Sequence, residues 1–242
     1  MKLYTKLFLT IIFCLIADGA VFAADKPIKG RLSLGYSDTK GNTEESKVNF
    51  AYGLSETKHD ALKLNYNGLV LYGKANDQKN ADKKQFGVTS EFKKSVNNSY
   101  YLSSGYMTDE FAGYDSQVTF GFGYMRYFER CEEQEFKVSL GLDFTNEKYT
   151  TGKSHDEKWL KAGLSAKKRL AENIRGFSVI DYSIPSEEST DNYKVDASIG
   201  TLFNVNSKFD MEMKYTISYR QTPVDGYKRQ DNGFYTSLVY KI

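Results

Sequence analysis

From Phe209 to Arg220 the chain reads FDMEMKYTISYR, with an apolar or aromatic residue at every odd position and a charged or hydroxylic one at every even position. A strand turns successive side chains to opposite faces, whereas a helix would bring apolar residues back every three or four. The spacing therefore predicts one long β-strand. At about 3.3 Å per residue it is about 40 Å long, and tilted by about 45° it still rises about 28 Å, the depth of a bilayer's hydrocarbon layer. Strands of soluble domains usually run to about five or six residues.

The same alternation recurs along the chain and predicts twelve strands. They fall at 28–37, 45–56, 60–72, 83–94, 100–110, 115–128, 134–147, 158–169, 174–185, 192–204, 209–220 and 230–242. In the seventh, Phe136, Val138, Leu140, Leu142 and Phe144 share one face; in the last, Phe234, Leu238, Tyr240 and Ile242 oppose Tyr235, Ser237 and Lys241. Short polar turns are expected near 57–60, 95–99, 129–133, 171–173 and 205–208. Longer or more polar loops are expected near 38–44, 73–82, 109–114, 148–157, 186–191 and 222–229. An even number of strands with short turns at one end and longer loops at the other predicts a single antiparallel up-and-down transmembrane β-barrel with both termini on the periplasmic side. Tyr36, Tyr72, Tyr100, Tyr127, Phe128, Tyr182, Phe209 and Tyr240 lie at strand ends, where such barrels carry aromatic girdles. Alternation does not say which face is inside, so a secreted soluble barrel with its apolar face inward remains the rival reading.

The first residues, MKLYTKLFLTIIFCLIADGAVFAADKPIKG, change the compartment. Lys2 and Lys6 precede an apolar run from Leu7 to Ile16, and small residues follow around Ala23. That is the layout of a secretory signal peptide over 1–23, leaving 24–242 as one exported barrel domain. Cys14 follows Phe13 rather than a small residue, which makes it a poor acylation site. Beyond that segment no apolar run is long enough to cross a membrane as a helix. Cys131, in ERCEEQ, is the one cysteine left, so no internal disulfide is available.

Composition agrees, with 19 Tyr, 16 Phe and 19 Gly against 3 Pro among 242 residues. A negative mean hydropathy fits a barrel whose strands are polar on one side. The net charge of +2 argues for no nucleic-acid partner.

Gly41-Asn42-Thr43, the stretch DEFAGYDSQVTFGFGY from 109 to 124 and the ending KRQDNGFYTSLVYKI resemble the family of domain of unknown function 481. Some of its members are called salt-induced outer-membrane proteins. The resemblance covers nearly all of the mature chain and implies a β-barrel in the outer membrane of a Gram-negative cell. It implies no substrate. Where barrels of this kind usually end in Phe, this chain ends in Ile242.

If the apolar set faces lipid, the other set lines a lumen. Arg31, Lys47, Lys63, Lys93, Lys137, Lys161, Lys214 and Arg220 would face inward beside Glu45, Glu91, Asp143, Asp196, Asp210 and Glu212. A barrel of this size has a backbone radius of only about 12 Å, and inward side chains take much of it. Opposite charges at that range pair across strands, so a filled interior, closed or passing only small solutes, is expected. The excess of Lys and Arg favours small anions on any open path. The inward glycines, among them Gly121, Gly123, Gly141 and Gly163, leave room either for water or for large neighbours.

Chemistry is thinly represented. There are two histidines, His59 in a turn and His155 in the loop TGKSHDEKW. Ser154, His155 and Asp156 are consecutive, whereas a triad is assembled in space. A rim protease would pair His155 with Asp109 or Asp115. No metal-ligand spacing and no cofactor motif occurs, and no enzyme is expected. Acidic loop residues such as Asp38, Glu44, Glu110, Glu187, Glu188 and Asp191 suit divalent cations or lipopolysaccharide. The expected partners are outer-membrane lipid and lipopolysaccharide, periplasmic chaperones and the barrel-assembly machinery, and small ions or solutes. The expected function is an envelope barrel with a narrow channel for small solutes linked to salt or osmotic stress. The alternatives are a non-conducting structural or loop-interaction barrel, and a barrel hydrolase.

Overall fold

A computed structural model describes residues 28–40, 45–58, 60–75, 78–186 and 192–242. The signal peptide expected over 1–23, and the turn histidine His59, lie outside them. The described chain is one closed antiparallel barrel of twelve strands, each hydrogen-bonded to its neighbours in sequence. The strands are β1 (Lys29–Lys40), β2 (Glu45–Lys58), β3 (Leu62–Ala75), β4 (Gln78–Lys93), β5 (Asn98–Asp109) and β6 (Tyr114–Arg130). They continue with β7 (Gln134–Tyr149), β8 (Ser154–Ala171), β9 (Ile174–Pro185), β10 (Lys194–Asn204), β11 (Phe209–Arg220) and β12 (Gln230–Lys241). One 3-10 turn, Glu110–Ala112, links β5 to β6. The seam between β1 and β12 runs from Arg31 opposite Lys241 to Lys40 opposite Asn232. Backbone bonds between Gly30 and Ile242, of 2.9 and 3.3 Å, finish it. Closure leaves no sheet edge unpaired.

The apolar face is the outer one. Leu34, Val48, Leu140 and Ile199 are each at least 60% exposed, while Asn49, Glu91, Thr145, Glu147 and Glu212 are buried inside. A soluble barrel would do the reverse, and a greasy belt of this extent is stable only in lipid. The structure thus overturns the soluble rival. On β7 the outward apolar residues run from Phe136 to Phe144, which at the usual rise and tilt spans about 20–25 Å, with Asn146 and Lys148 beyond.

Aromatic residues border this belt at both ends. Near the chain termini Tyr100 meets Tyr124 at 5.8 Å, Phe128 meets Phe136 at 5.6 Å and Phe209 meets Tyr240 at 5.5 Å between ring centres. At the other end Tyr193 lies between Tyr182 and Tyr219, at 5.8 and 5.5 Å. Tyr127 is the exception to the expected girdle. It is only 1% exposed and points inward, its hydroxyl donating to Glu91. Adjacent strand residues face opposite sides, so Tyr127 and Phe128 cannot both meet the interface.

Two expected loops are not loops. β4 begins at Gln78 rather than 83, and β8 at Ser154 rather than 158, so 73–75, 78–82, 148–149 and 154–157 belong to strands. The β7 to β8 connection is a tight turn in which Tyr149 N–H donates to Lys153 O at 2.9 Å and Gly152 takes φ +83°. These strand extensions are almost wholly polar, so alternation fades there. The difference in loop length between the ends therefore rests mainly on 186–193 and 221–229.

Inward glycines make room for large neighbours. Tyr101 lies against Gly123 and Gly141, and a methyl group on Gly141 would collide with the Tyr101 hydroxyl and the Phe122 carbonyl. Gly141→Ala is expected to cost about 1–3 kcal/mol, read as a lower urea midpoint of the folded barrel. An unchanged midpoint would show that the ring is free to move aside.

Candidate functional site

The candidate site is the lumen. The inward positions of successive strands bring the charged residues to one interior surface, at three heights. Near the termini, Glu91 accepts from Ser99 Oγ at 2.8 Å, Tyr127 Oη at 2.9 Å and Arg130 at 3.1 Å. The Arg130 guanidinium also stacks 4.0 Å from the Tyr127 ring centre. Glu212 lies 3.4 Å from Arg31 and 3.8 Å from Lys214, and Asp210 lies 2.7 Å from Lys241. Lys137 is 3.8 Å from Glu135, and Lys63 on β3 is within electrostatic reach of both from across the lumen. Lys93, the last residue of β4, is exposed at this end.

At mid-height Lys161 lies between two carboxylates, 3.8 Å from Asp143 and 3.2 Å from Asp181. Nearer the loop end, Lys47 at the start of β2 is buried and donates to the Asn80 carbonyl at 3.0 Å.

Towards the loop end Arg220 holds Glu147 at 3.2 Å. Glu147 also accepts from Gln117 and, at 2.9 Å, from the Tyr149 hydroxyl. Lys83 pairs with Asp109 at 3.2 Å, and Asp196 accepts from Ser218 at 2.7 Å. Lys194 sits 3.7 Å above the ring centre of buried Trp159.

Of the thirteen residues expected to line the lumen, five pair with one another, Arg31 and Lys214 with Glu212 and Lys161 with Asp143, and most of the others pair with residues outside that set. The side chain of Glu45 lies outside the described residues. Sequence reasoning missed Lys83, Glu147, Asp181 and Lys194. Three share the face of a residue it did name: Lys83 that of Glu91, Glu147 that of Asp143, and Lys194 that of Asp196. β9, with little apolar contrast, hid Asp181.

The pairing does not fill the barrel. Under the loop end lies a cavity of about 530 Å³, lined by Lys83, Lys161, Asp181, Asp196, Lys214 and Arg220 among others. Cations and carboxylates both line it, so a polar solute would meet both signs within one chamber.

The hydrolytic candidates are not brought together. Ser154, His155 and Asp156 fall within β8, so His155 faces away from its two neighbours. His155 stands opposite Glu147 in register and 3.8 Å from Glu157, while Asp109 is held by Lys83 and Asp115 by Lys148.

An antiparallel barrel with an apolar exterior, aromatic borders and a charged interior has the fold of the outer-membrane β-barrels. The chain belongs to the family described as protein of unknown function, DUF481, which matches residues 32–242. No curated protein matches it in sequence. Among solved structures it is similar to the NanC porin, with a TM-score of 0.60 and 7% identity over 87% of this chain and 100% of that one. An outer-membrane channel from Pseudomonas putida F1 aligns with a TM-score of 0.55 and 7% identity, over 90% of this chain and 97% of that one. The translocator domain of the autotransporter NalP from Neisseria meningitidis aligns with a TM-score of 0.51 and 10% identity, over 98% and 96%. At such identities the likeness is one of fold.

Proposed function

We propose that the protein is an outer-membrane channel of small cross-section for small charged solutes, with a preference for anions. The observation that carries this reading is the chamber of about 530 Å³ inside a lumen otherwise bridged by ion pairs. A purely structural barrel has no need of a hydrated, charge-lined space. The preference for anions follows from the slight excess of cations on its wall, six Lys and Arg, among them Lys83, Lys161, Lys214 and Arg220, against five Asp, since fixed charge favours its counter-ion. The protein performs no bond chemistry in this reading, and the link to salt or osmotic stress rests on the family resemblance alone. The ion pairs that bridge the lumen favour a second reading, a non-conducting barrel that acts through its outer loops.

Residues 24–242, folded in detergent and placed in a planar bilayer, test the proposal. Small steady current steps in potassium chloride are expected, with the reversal potential under a salt gradient displaced towards that of chloride. Steps with cation preference would reject the role given to the four cations. A folded, inserted barrel that stays silent even when the 221–229 connection is shortened would favour the second reading.

A further inference from the structure

The 221–229 connection does more than join β11 to β12. Its ends are pinned together, Arg220 N–H donating to Arg229 O at 2.8 Å, and its start is tied to the neighbouring wall where Gln221 N–H donates to Tyr193 O at 2.9 Å. From there it makes a tight turn, with Tyr227 N–H donating to Val224 O at 3.0 Å and Gly226 at φ +89°. Val224 is only 8% exposed, and together with Pro223 and Tyr227 it forms part of the chamber lining.

The far side of this loop is the informative part. In a ring of twelve strands, the β5 to β6 connection stands diametrically opposite the β11 to β12 connection. Tyr227 nevertheless reaches it. The ring covers Gly113, where a methyl group would come within 2.7 Å of it, and the hydroxyl lies 3.4 Å from both the Glu110 carbonyl and Thr150 Oγ1. Gly113 itself holds φ +88°, a conformation that suits glycine, and its carbonyl accepts from Thr150 N–H at 3.0 Å. Two outer connections thus form one seat for a single tyrosine that has crossed the mouth.

We propose that 221–229 is a gate over the chamber and that Tyr227 is its latch on the opposite wall. The proposal deepens the channel reading and rests on it for its use. On the near side the gate is anchored by backbone hydrogen bonds. On the far side its contacts include those of the Tyr227 side chain, both polar ones at 3.4 Å, and the pair Lys153 and Asp225 at 3.9 Å with side chains 75% and 95% exposed. Such an exposed ion pair contributes little. The hinge is therefore at β11 and β12, and release requires Tyr227 to leave its seat. The bare surface of Gly113 and the αL backbone there fit this: any larger residue would unseat the ring.

Single-channel recording tests the gate on three forms of residues 24–242: the native chain, Tyr227→Ala, and a chain with 222–228 replaced by a short Gly-Ser turn. Folding of each is checked by its unheated gel mobility. If the latch keeps the mouth shut most of the time, Tyr227→Ala raises the time-averaged current by about tenfold, and the shortened loop by at least as much. Lys153→Ala leaves it unchanged. Equal currents from the three forms would overturn the gate and leave the channel reading standing. Silence from all three would overturn the gate and the channel reading together. Current in the two variants over a silent native barrel would support the gate.

Discussion

Leu140→Arg will destabilise the barrel in lipid vesicles by about 2–4 kcal/mol, because it places a guanidinium at the middle of the lipid-facing belt. Leu140 is 60% exposed and lies midway between Phe136 and Phe144 on β7. On a water-soluble protein a substitution at so exposed a site would fall within about 0.5 kcal/mol of neutral. The contrast makes it a direct test of what the outer face touches. Asn146→Arg, on the same face of the same strand but above the belt, should cost no more than about 1 kcal/mol. Urea titration of both variants in vesicles, followed by tyrosine and tryptophan fluorescence, gives the two values. Equal small costs would mean that Leu140 does not meet hydrocarbon, and the membrane assignment would fall.

The second large effect is inside. Glu147→Ala should cost about 3 kcal/mol, since it leaves the half-buried Arg220 guanidinium without its carboxylate. The Glu147 side chain is 3% exposed and that of Arg220 23%, so water compensates little for the loss. Arg220→Ala should cost less, because Glu147 keeps its donors Gln117 and Tyr149. Replacing both by glutamine should recover most of the loss, for then neither charge is stranded. A double-mutant cycle on urea midpoints measures the coupling. Strict additivity of the two single losses would show that the pair is solvated independently and does not bridge the lumen.

β11 and β7 were legible in the sequence because lipid on one side and charge on the other impose an unbroken alternation. The strand number and the inward set, from Arg31 to Arg220, follow from that same constraint. The upper parts of β4 and β8 were not, since Gln78 to Asp82 and Ser154 to Glu157 carry no apolar residue besides Ala81 and so show no alternation. Tyr127 was misplaced because composition favours aromatics at strand ends, whereas only its phase relative to Phe128 says which way it turns. Asp181 escaped notice on β9, whose polar and apolar residues differ too little to show a face.

The sequence by itself therefore determined the twelve strands, their antiparallel order and the two sets of side chains on them, because a period of two is a local property of the backbone. Only the tertiary structure decided which set faces outward, which charges meet, that a chamber survives between them, and that Tyr227 lies on Gly113 across the mouth. Those contacts join residues far apart along the chain, such as Arg31 with Glu212 and Glu147 with Arg220. Local alternation carries no record of the curvature and closure that bring such residues within reach of each other.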